Sequence, residues 1–467
     1  TGLVEKRIDP VALESYLWNG FVVGPHTIVQ DVSLLPAGTT LGVEFDGSHS
    51  DPESFGHVKD DQTATSVEDV EEELGRAVEM RLVADVPVGV FLSGGVDSSA
   101  VATLAADRLG GEAVKTFNVS FGETGFDESG YARSVASALG TDHQELRLDE
   151  VSFAAQLESA LESIDQPTFD AINTYFVSRA VHEAGVTVAL AGTGGDELFG
   201  GYSSFRDIPA ARRFARVASS APASIRGPLA RTVARLKTGK FGAVPPQTRW
   251  GKLEDALSTR GDLLALYQAS YSLFTRRFSQ ELHEPQCNGR LRHGLPADTA
   301  VQIGRQEVEG RILATVSRFE QRLFLGERLL RDTDTASMAT ALEVRVPLVD
   351  DRLVDRVERL DDDARFLPLG RKQILRNIAT RRVDAAVFQR PKSGFLLPIE
   401  RWCRQLLRPR LEDQFRDASL CGRVGLDAQA VLRLWRAYEA EAPGIYWSRV
   451  WALFVLLDYC RRHGLSL

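Results

Sequence analysis

Two short stretches hold the residue types and spacing that chemistry needs. In FLSGGVDSSA, residues 91–100, an apolar run ends in Ser93, Gly94 and Gly95, and Asp97, Ser98 and Ser99 follow at once. Glycines there let backbone N–H groups turn inward, and a helix beginning just after them adds partial positive charge, so the turn suits an anion. The three serine hydroxyls can donate to phosphate oxygens. Asp97 would repel a bare phosphate, which calls for a metal ion between the two. LAGTGGDELFGG, residues 190–201, repeats the design with Asp196 and Glu197 behind a second glycine turn. Two such loops at the ends of strands in one sheet would form one pocket with two carboxylates, able to bridge Mg2+ to a polyphosphate. Neither stretch is G-x-x-x-x-G-K-[ST] or G-x-G-x-x-G, so this is no Walker A or dinucleotide fingerprint.

The elements that must position these loops are legible around them. VPVGVFLS (86–93), VKTFNVSF (114–121), HQELRL (143–148) and VTVALAG (186–192) read as strands. Between them, SSAVATLAADRLG, DESGYARSVASALG and AINTYFVSRAVHEAG read as helices with glycine stops. Strands separated by single helices predict an α/β fold with a doubly wound parallel sheet. Ligands bind such sheets at the carboxyl ends of the strands. VEDVEEELGRAVEM (67–80) has the apolar spacing of an amphipathic helix, and DGSHSDPESFGHVKDDQTATS (46–66) reads as a surface loop. Three zones follow: 1–66 as connection and linker, 67–205 as the α/β core, and 206–467 as a mostly helical, arginine-rich part.

Bulk properties narrow the class. A chain of 467 residues exceeds what one hydrophobic core serves. A net charge of −9 argues against a nucleic-acid-binding surface over the whole molecule while leaving room for a local basic cleft, and no apolar run has the roughly 18 residues of a membrane span. Cys287, Cys403, Cys421 and Cys460 are scattered without metal-ligand spacing, which predicts reduced thiols and a cytoplasmic protein.

FLSGGVDSS resembles the pyrophosphatase loop, S-G-G-x-D-S, of enzymes that cleave ATP to AMP and pyrophosphate. With GTGGDELFGGY, SMATALEVRVPLVD and RPKSGF in the same order, residues 70–405 resemble the synthetase domain of the glutamine-dependent asparagine synthetase family, which includes β-lactam synthetases and lasso-peptide cyclases. The resemblance implies an ATP pyrophosphatase fold and an ATP- and Mg2+-dependent, amide-forming ligase. Ser93, Gly94, Gly95 and Ser98 would cradle pyrophosphate, and Asp97 and Asp196 would hold Mg2+. Leu92, Val119 and Gly192 would hold adenosine through their backbones. Lys392 would neutralise the α-phosphate during attack by a carboxylate. Glu343 and Arg345 are either site residues or an ion pair bracing the motif. Asp332 and Asp334 are candidates to face the substrate, Met338 reads as packing, and His143 is a candidate base with a structural alternative.

Two departures from the family bear on function. The third position of the second loop, an acid in asparagine synthetases and a tyrosine in β-lactam synthetases, is Thr193, which cannot act as a general base at neutral pH. The family's amino-terminal catalytic cysteine is not found: the chain starts at Thr1, and its first cysteine is Cys287. The glutaminase domain is therefore expected to be truncated, cleaved or separately encoded. Expected partners are a small carboxylate and a nitrogen donor, either ammonia from a glutaminase or an amine, and a homodimer is left open. Thr193 favours a specialised ligase, as in natural-product assembly, over housekeeping asparagine synthesis. The remaining rivals are a pyrophosphatase-loop enzyme acting on tRNA, without its expected CxxC pairs or basic extension, and a non-catalytic nucleotide-binding regulator.

Overall fold

The computed structural model describes residues 4–55, 64–121, 128–238, 242, 244–286, 289–389 and 397–467. Its centre is a five-stranded, all-parallel sheet of β1 (Val88–Phe91), β2 (Lys115–Phe121), β3 (Asp142–Leu148), β4 (Val188–Leu190) and β5 (Glu343–Arg345). The spatial order is 3-2-1-4-5. The chain moves outward from β1 to β3 and then returns to the other side of β1 for β4. The carboxyl ends of β1 and β4 therefore flank the point where the strand order reverses, which is where open α/β sheets bind ligands.

Side-chain alternation on the strands feeds a core on each face. Ala189 of β4 joins a core with Phe117 and Val119, whereas the next residue, Leu190, joins Val90 and Leu92 on the opposite face. After a first helix α1 (Pro10–Asn19), helix α2 (Val67–Leu82) packs on the Leu190 face. It starts in a capping box: Asp69 N donates to Ser66 Oγ (3.1 Å) while Ser66 N donates to the Asp69 carboxylate (2.9 Å). Helix α3 (Val96–Leu109) lies beside it, buried without a break from Ser98 to Ala106; its run of Ala, Ser and Thr lets neighbouring helices approach on several sides. Helix α4 (Ser129–Leu139) completes that layer and stops at Gly140, which is left-handed at φ 68°.

The other face is covered by α5 (Glu150–Glu162), α6 (Ala171–Glu183) and helices near the C-terminus. The helix Trp447–His463 is buried at every position from Val450 to Cys460, so its apolar character belongs to an interior element. Among the described residues no helix is long and apolar enough to cross a membrane. Cys403, Cys421 and Cys460 are buried free thiols, while Cys287 lies outside the described residues.

Residues beyond 206 are mostly helical, yet they supply β5, whose three residues follow an unusual helix. That helix runs as α over Ile312–Phe319, as a wider π winding over Glu320–Leu330, and as α again over Arg331–Met338. Such windings recur at functional sites, and this one brings Phe324, Arg328 and Leu329 to the wall of the main cleft.

Candidate active site

The cleft has a volume of about 980 Å³ and opens over the carboxyl ends of β1 and β4. The first loop organises itself around two hydroxyls. Gly95 N donates to Ser93 Oγ (3.2 Å), and the Ser93 and Ser98 hydroxyls lie 3.2 Å apart. Gly94 has φ +72°, and a Cβ there would lie 2.7 Å from the Tyr131 carbonyl carbon, so only glycine fits between the loop and α4. The second loop sits directly on the first: a Cβ on Gly192 would lie 2.8 Å from Ser98 N.

This nesting brings the two acids together. Lys372 donates from Nζ to Asp97 (2.5 Å) and to Asp196 Oδ1 (2.8 Å). The lysine precedes the helix Gln373–Ala379 in a left-handed conformation (φ 49°), and its side chain is 7% exposed. Burial works against the ammonium, but the Asp97 and Asp196 carboxylates outweigh it and raise the lysine's pKa. Sequence reasoning missed Lys372. LGRKQILR carries no spacing that separates it from a surface lysine, and its partners lie 275 and 176 residues away.

A pair of hard oxygen ligands converging on one cation fits Mg2+, which is commonly held by one or two carboxylates together with substrate phosphates. Among the described residues no cluster of three or more potential ligands exists, so phosphate oxygens and water would complete the coordination. The second acid is braced from behind. Arg365 donates to Leu198 O (2.8 Å) and to Ser317 Oγ (2.6 Å), and Ser317 donates to Glu197 O (2.7 Å). Burial, and then the neighbouring Asp196, push Glu197 up to about 8; Tyr202 donates its hydroxyl to it at 2.8 Å.

The structure brings most of the expected residues to one place. Leu92, Ser93, Gly94, Gly95, Asp97 and Ser98 of the first loop line the cleft, as do Val119 on β2 and Gly192, Thr193 and Asp196 of the second. Lys392 lies outside the described residues. Glu343 is not brought to the cleft: it is exposed at the start of β5, paired with Val188, and accepts from Arg345 Nε at 2.7 Å. Arg345 in turn donates to the carbonyls of Arg81 and Val83 (both 2.8 Å), tying β5 to the end of α2. Asp332 is buried and accepts from Thr168 (3.1 Å); neither it nor Asp334 lines the cleft, and Met338 is exposed. His143 is bonded through Nδ1 to Thr116 (2.9 Å), away from the lining.

The sequence model of the family described as asparagine synthase matches residues 69–461. The glutamine-hydrolyzing asparagine synthetase 1 of Bacillus subtilis is 28% identical over 407 residues, covering 85% of this chain and 60% of that protein. Amidase chyE of Penicillium rubens is 28% identical over 368 residues, 72% of this chain and 53% of its own. Asparagine synthetase 3 of Arabidopsis thaliana is 37% identical over 151 residues, 30% of this chain and 26% of its own. The chain spans about three fifths or less of the length of these relatives. With a match over most of its residues, the chain belongs to the asparagine synthase family, whose synthetase-type members are ATP-dependent ligases.

Proposed function

We propose that this cleft adenylates a substrate carboxylate at the expense of ATP and then passes the acyl group to nitrogen, forming an amide. The observation that carries the reading is the convergence of Asp97 and Asp196, one from each glycine loop, on Lys372. A carboxylate oxygen attacks the α-phosphorus, the bond to the bridging oxygen breaks, and pyrophosphate leaves. An amine or ammonia then attacks the acyl carbon, AMP departs, and the nitrogen loses a proton. Mg2+, when bound, would neutralise charge on the departing pyrophosphate.

The chain's own residues position and stabilise. Ser93, Gly94, Gly95 and Ser98, at the start of α3, would hold the pyrophosphate oxygens with hydroxyl and N–H donors. Asp97 and Asp196 would hold the metal, and Lys372 would add a fixed positive charge where the leaving group gathers negative charge. Leu92, Val119 and Gly192 line the side where adenosine would lie. Lys392 keeps its proposed role at the α-phosphate. Glu343, paired to Arg345 at an exposed edge, is better read as part of a brace. Thr193 faces the cleft and supplies a hydroxyl but no base, which favours a specialised ligase over asparagine synthesis.

The test is exchange of labelled pyrophosphate into ATP across a panel of carboxylic acids, with Asp97→Ala as control. Exchange with aspartate identifies asparagine synthesis. Exchange with another acid identifies a dedicated ligase. Exchange that survives Asp97→Ala overturns the metal assignment, and none with any acid overturns adenylation.

A further inference from the structure

Behind the Phe324–Arg328 wall of the main cleft lies a second pocket of about 160 Å³, and those two residues line both. Arg328 forms the partition: its guanidinium lies over the rings of Phe169 (4.4 Å) and Phe324 (4.8 Å) and donates to Asp170 (2.6 Å). Two more cations line this pocket, Lys252 and Arg449, from segments almost 200 residues apart. Both are held by neutral oxygens. Lys252 donates to the Ser272 carbonyl. Arg449 donates to the carbonyls of Leu273 (3.0 Å) and Gln247 (2.9 Å) and to Ser448 Oγ (2.8 Å).

Among the described residues, no carboxylate reaches ion-pair distance of Lys252 or Arg449. The acid that acts on Lys252 from farther off, Asp255, is engaged with the Arg276 N–H at 3.0 Å. Lys252 is 6% exposed. Burial and the neighbouring Arg449 pull its pKa down to about 7, and burial pulls Arg449 down to about 10. A buried cation without a counter-ion is unfavourable; the lowered Lys252 pKa reflects that penalty, and an anion beside it would relieve it. Ser270, Gln268 and Asn19 also line the pocket, but their donors are spent on Leu266 O, on Asn19 Oδ1 and His293 O, and on Ser15 O and Gly294 O, which leaves Lys252 and Arg449 as the groups that would meet an anion. The pocket's volume is ample for a carboxylate or phosphate group with accompanying water.

We infer that this second pocket is an oxyanion subsite that takes a carboxylate or phosphate group, either at the far end of the substrate in the main cleft or as a free anion. Phe324 and Arg328 are all that the described lining of the two pockets shares, so the first source needs that partition to move aside, and for that source the inference rests on the adenylation reading above. An anion seated between Lys252 and Arg449 would give both cations the counter-charge that the described residues do not provide.

The test uses the whole chain with Lys252→Met, and with Lys252→Gln in case the first variant does not fold. Melting temperature is followed against succinate and against sulfate, with AMP and pyrophosphate held in excess to occupy the main cleft. The wild type should be stabilised by these anions, and the variants should lose that rise while melting no lower than wild type without anion. Wild-type protein that ignores both anions, or variants that respond as wild type does, overturn the subsite.

The source is then read from pyrophosphate exchange. A KM at least tenfold higher in Lys252→Met for dicarboxylic acids, with monocarboxylic acids unchanged, assigns the pocket to the substrate. Equal KM values for both assign it to a free anion. If no acid supports exchange but the anion shift remains and depends on Lys252, the adenylation reading fails and the subsite stands.

Discussion

Replacing Lys372 by methionine tests the centre of the site more sharply than deleting either acid. The substitution keeps a chain of similar length and removes the one described cation that lies between Asp97 and Asp196, at 2.5 and 2.8 Å. All three side chains are mostly buried, at 7%, 18% and 15% exposure, so solvent screens the loss little. Removing one partner from a buried ion pair costs about 3–5 kcal/mol, because the remaining charge stays desolvated. An unfolding entropy of about 2.1 cal/mol/K per residue over 467 residues is about 1 kcal/mol/K, so the melting temperature should fall by about 3–5 °C in EDTA. Titrating Mg2+ should then stabilise Lys372→Met more than wild type, since the metal restores the missing charge between the two acids. Scanning fluorimetry in EDTA and across a Mg2+ series reads both effects. If Lys372→Met melts with wild type in EDTA and gains no more from Mg2+, the lysine does not hold these acids together and the cation-site reasoning is wrong.

Three further outcomes follow from the same geometry. Because the folded pKa of Lys372 lies above the ordinary lysine value of 10.5, its ion pair contributes fully below pH 10.5 and is lost as the pH rises through the folded value; the wild-type melting temperature should converge on that of Lys372→Met in strongly alkaline buffer, and a constant gap would contradict this. Gly192→Ala places a Cβ 2.8 Å from Ser98 N and 2.9 Å from the Asp97 carbonyl carbon, so the two loops must separate; calorimetry should show ATP binding lost while stability drops by only about 1–3 kcal/mol. Burial, then Asp170, raise Asp332 from an ordinary 3.8 to about 8, so the stability it contributes is full below pH 3.8 and is lost as the pH rises through about 8. Asp332→Asn should therefore gain on wild type in denaturant midpoint between pH 5 and pH 9, and parallel declines would refute this.

The first loop was the most legible part of the chain, because its constraints are local. A strand, two glycines and a helix start within a dozen residues leave few other readings, and β1 and α3 fall where VPVGVFLS and SSAVATLAADRLG place them. The second loop was legible as a repeat of the first. The contact between them was legible only as an inference from parallel topology, yet it is this contact that brings Asp97 beside Asp196. β5 was harder: three residues after a long helix carry too little alternation to separate a strand from a helix exit, so Glu343 and Arg345 stayed ambiguous. Lys372 was invisible for another reason, since a buried lysine is defined by its partners and these sit on the two distant loops. The same holds for Lys252 and Arg449, which share a pocket across almost 200 residues. Periodicity reports which face of an element is buried; it does not report which distant charge will be buried against it.

The most direct measurement of the central claim follows isotope from the substrate acid. With an acid that supports exchange, labelled with 18O in its carboxylate, a turnover with ATP and a nitrogen donor is stopped and the nucleotide and phosphate products are examined by mass spectrometry. Attack on the α-phosphorus predicts one 18O in AMP and none in pyrophosphate. Formation of ADP with 18O in inorganic phosphate would mean attack at the γ-phosphorus and would contradict the adenylating site built from Asp97, Asp196 and Lys372.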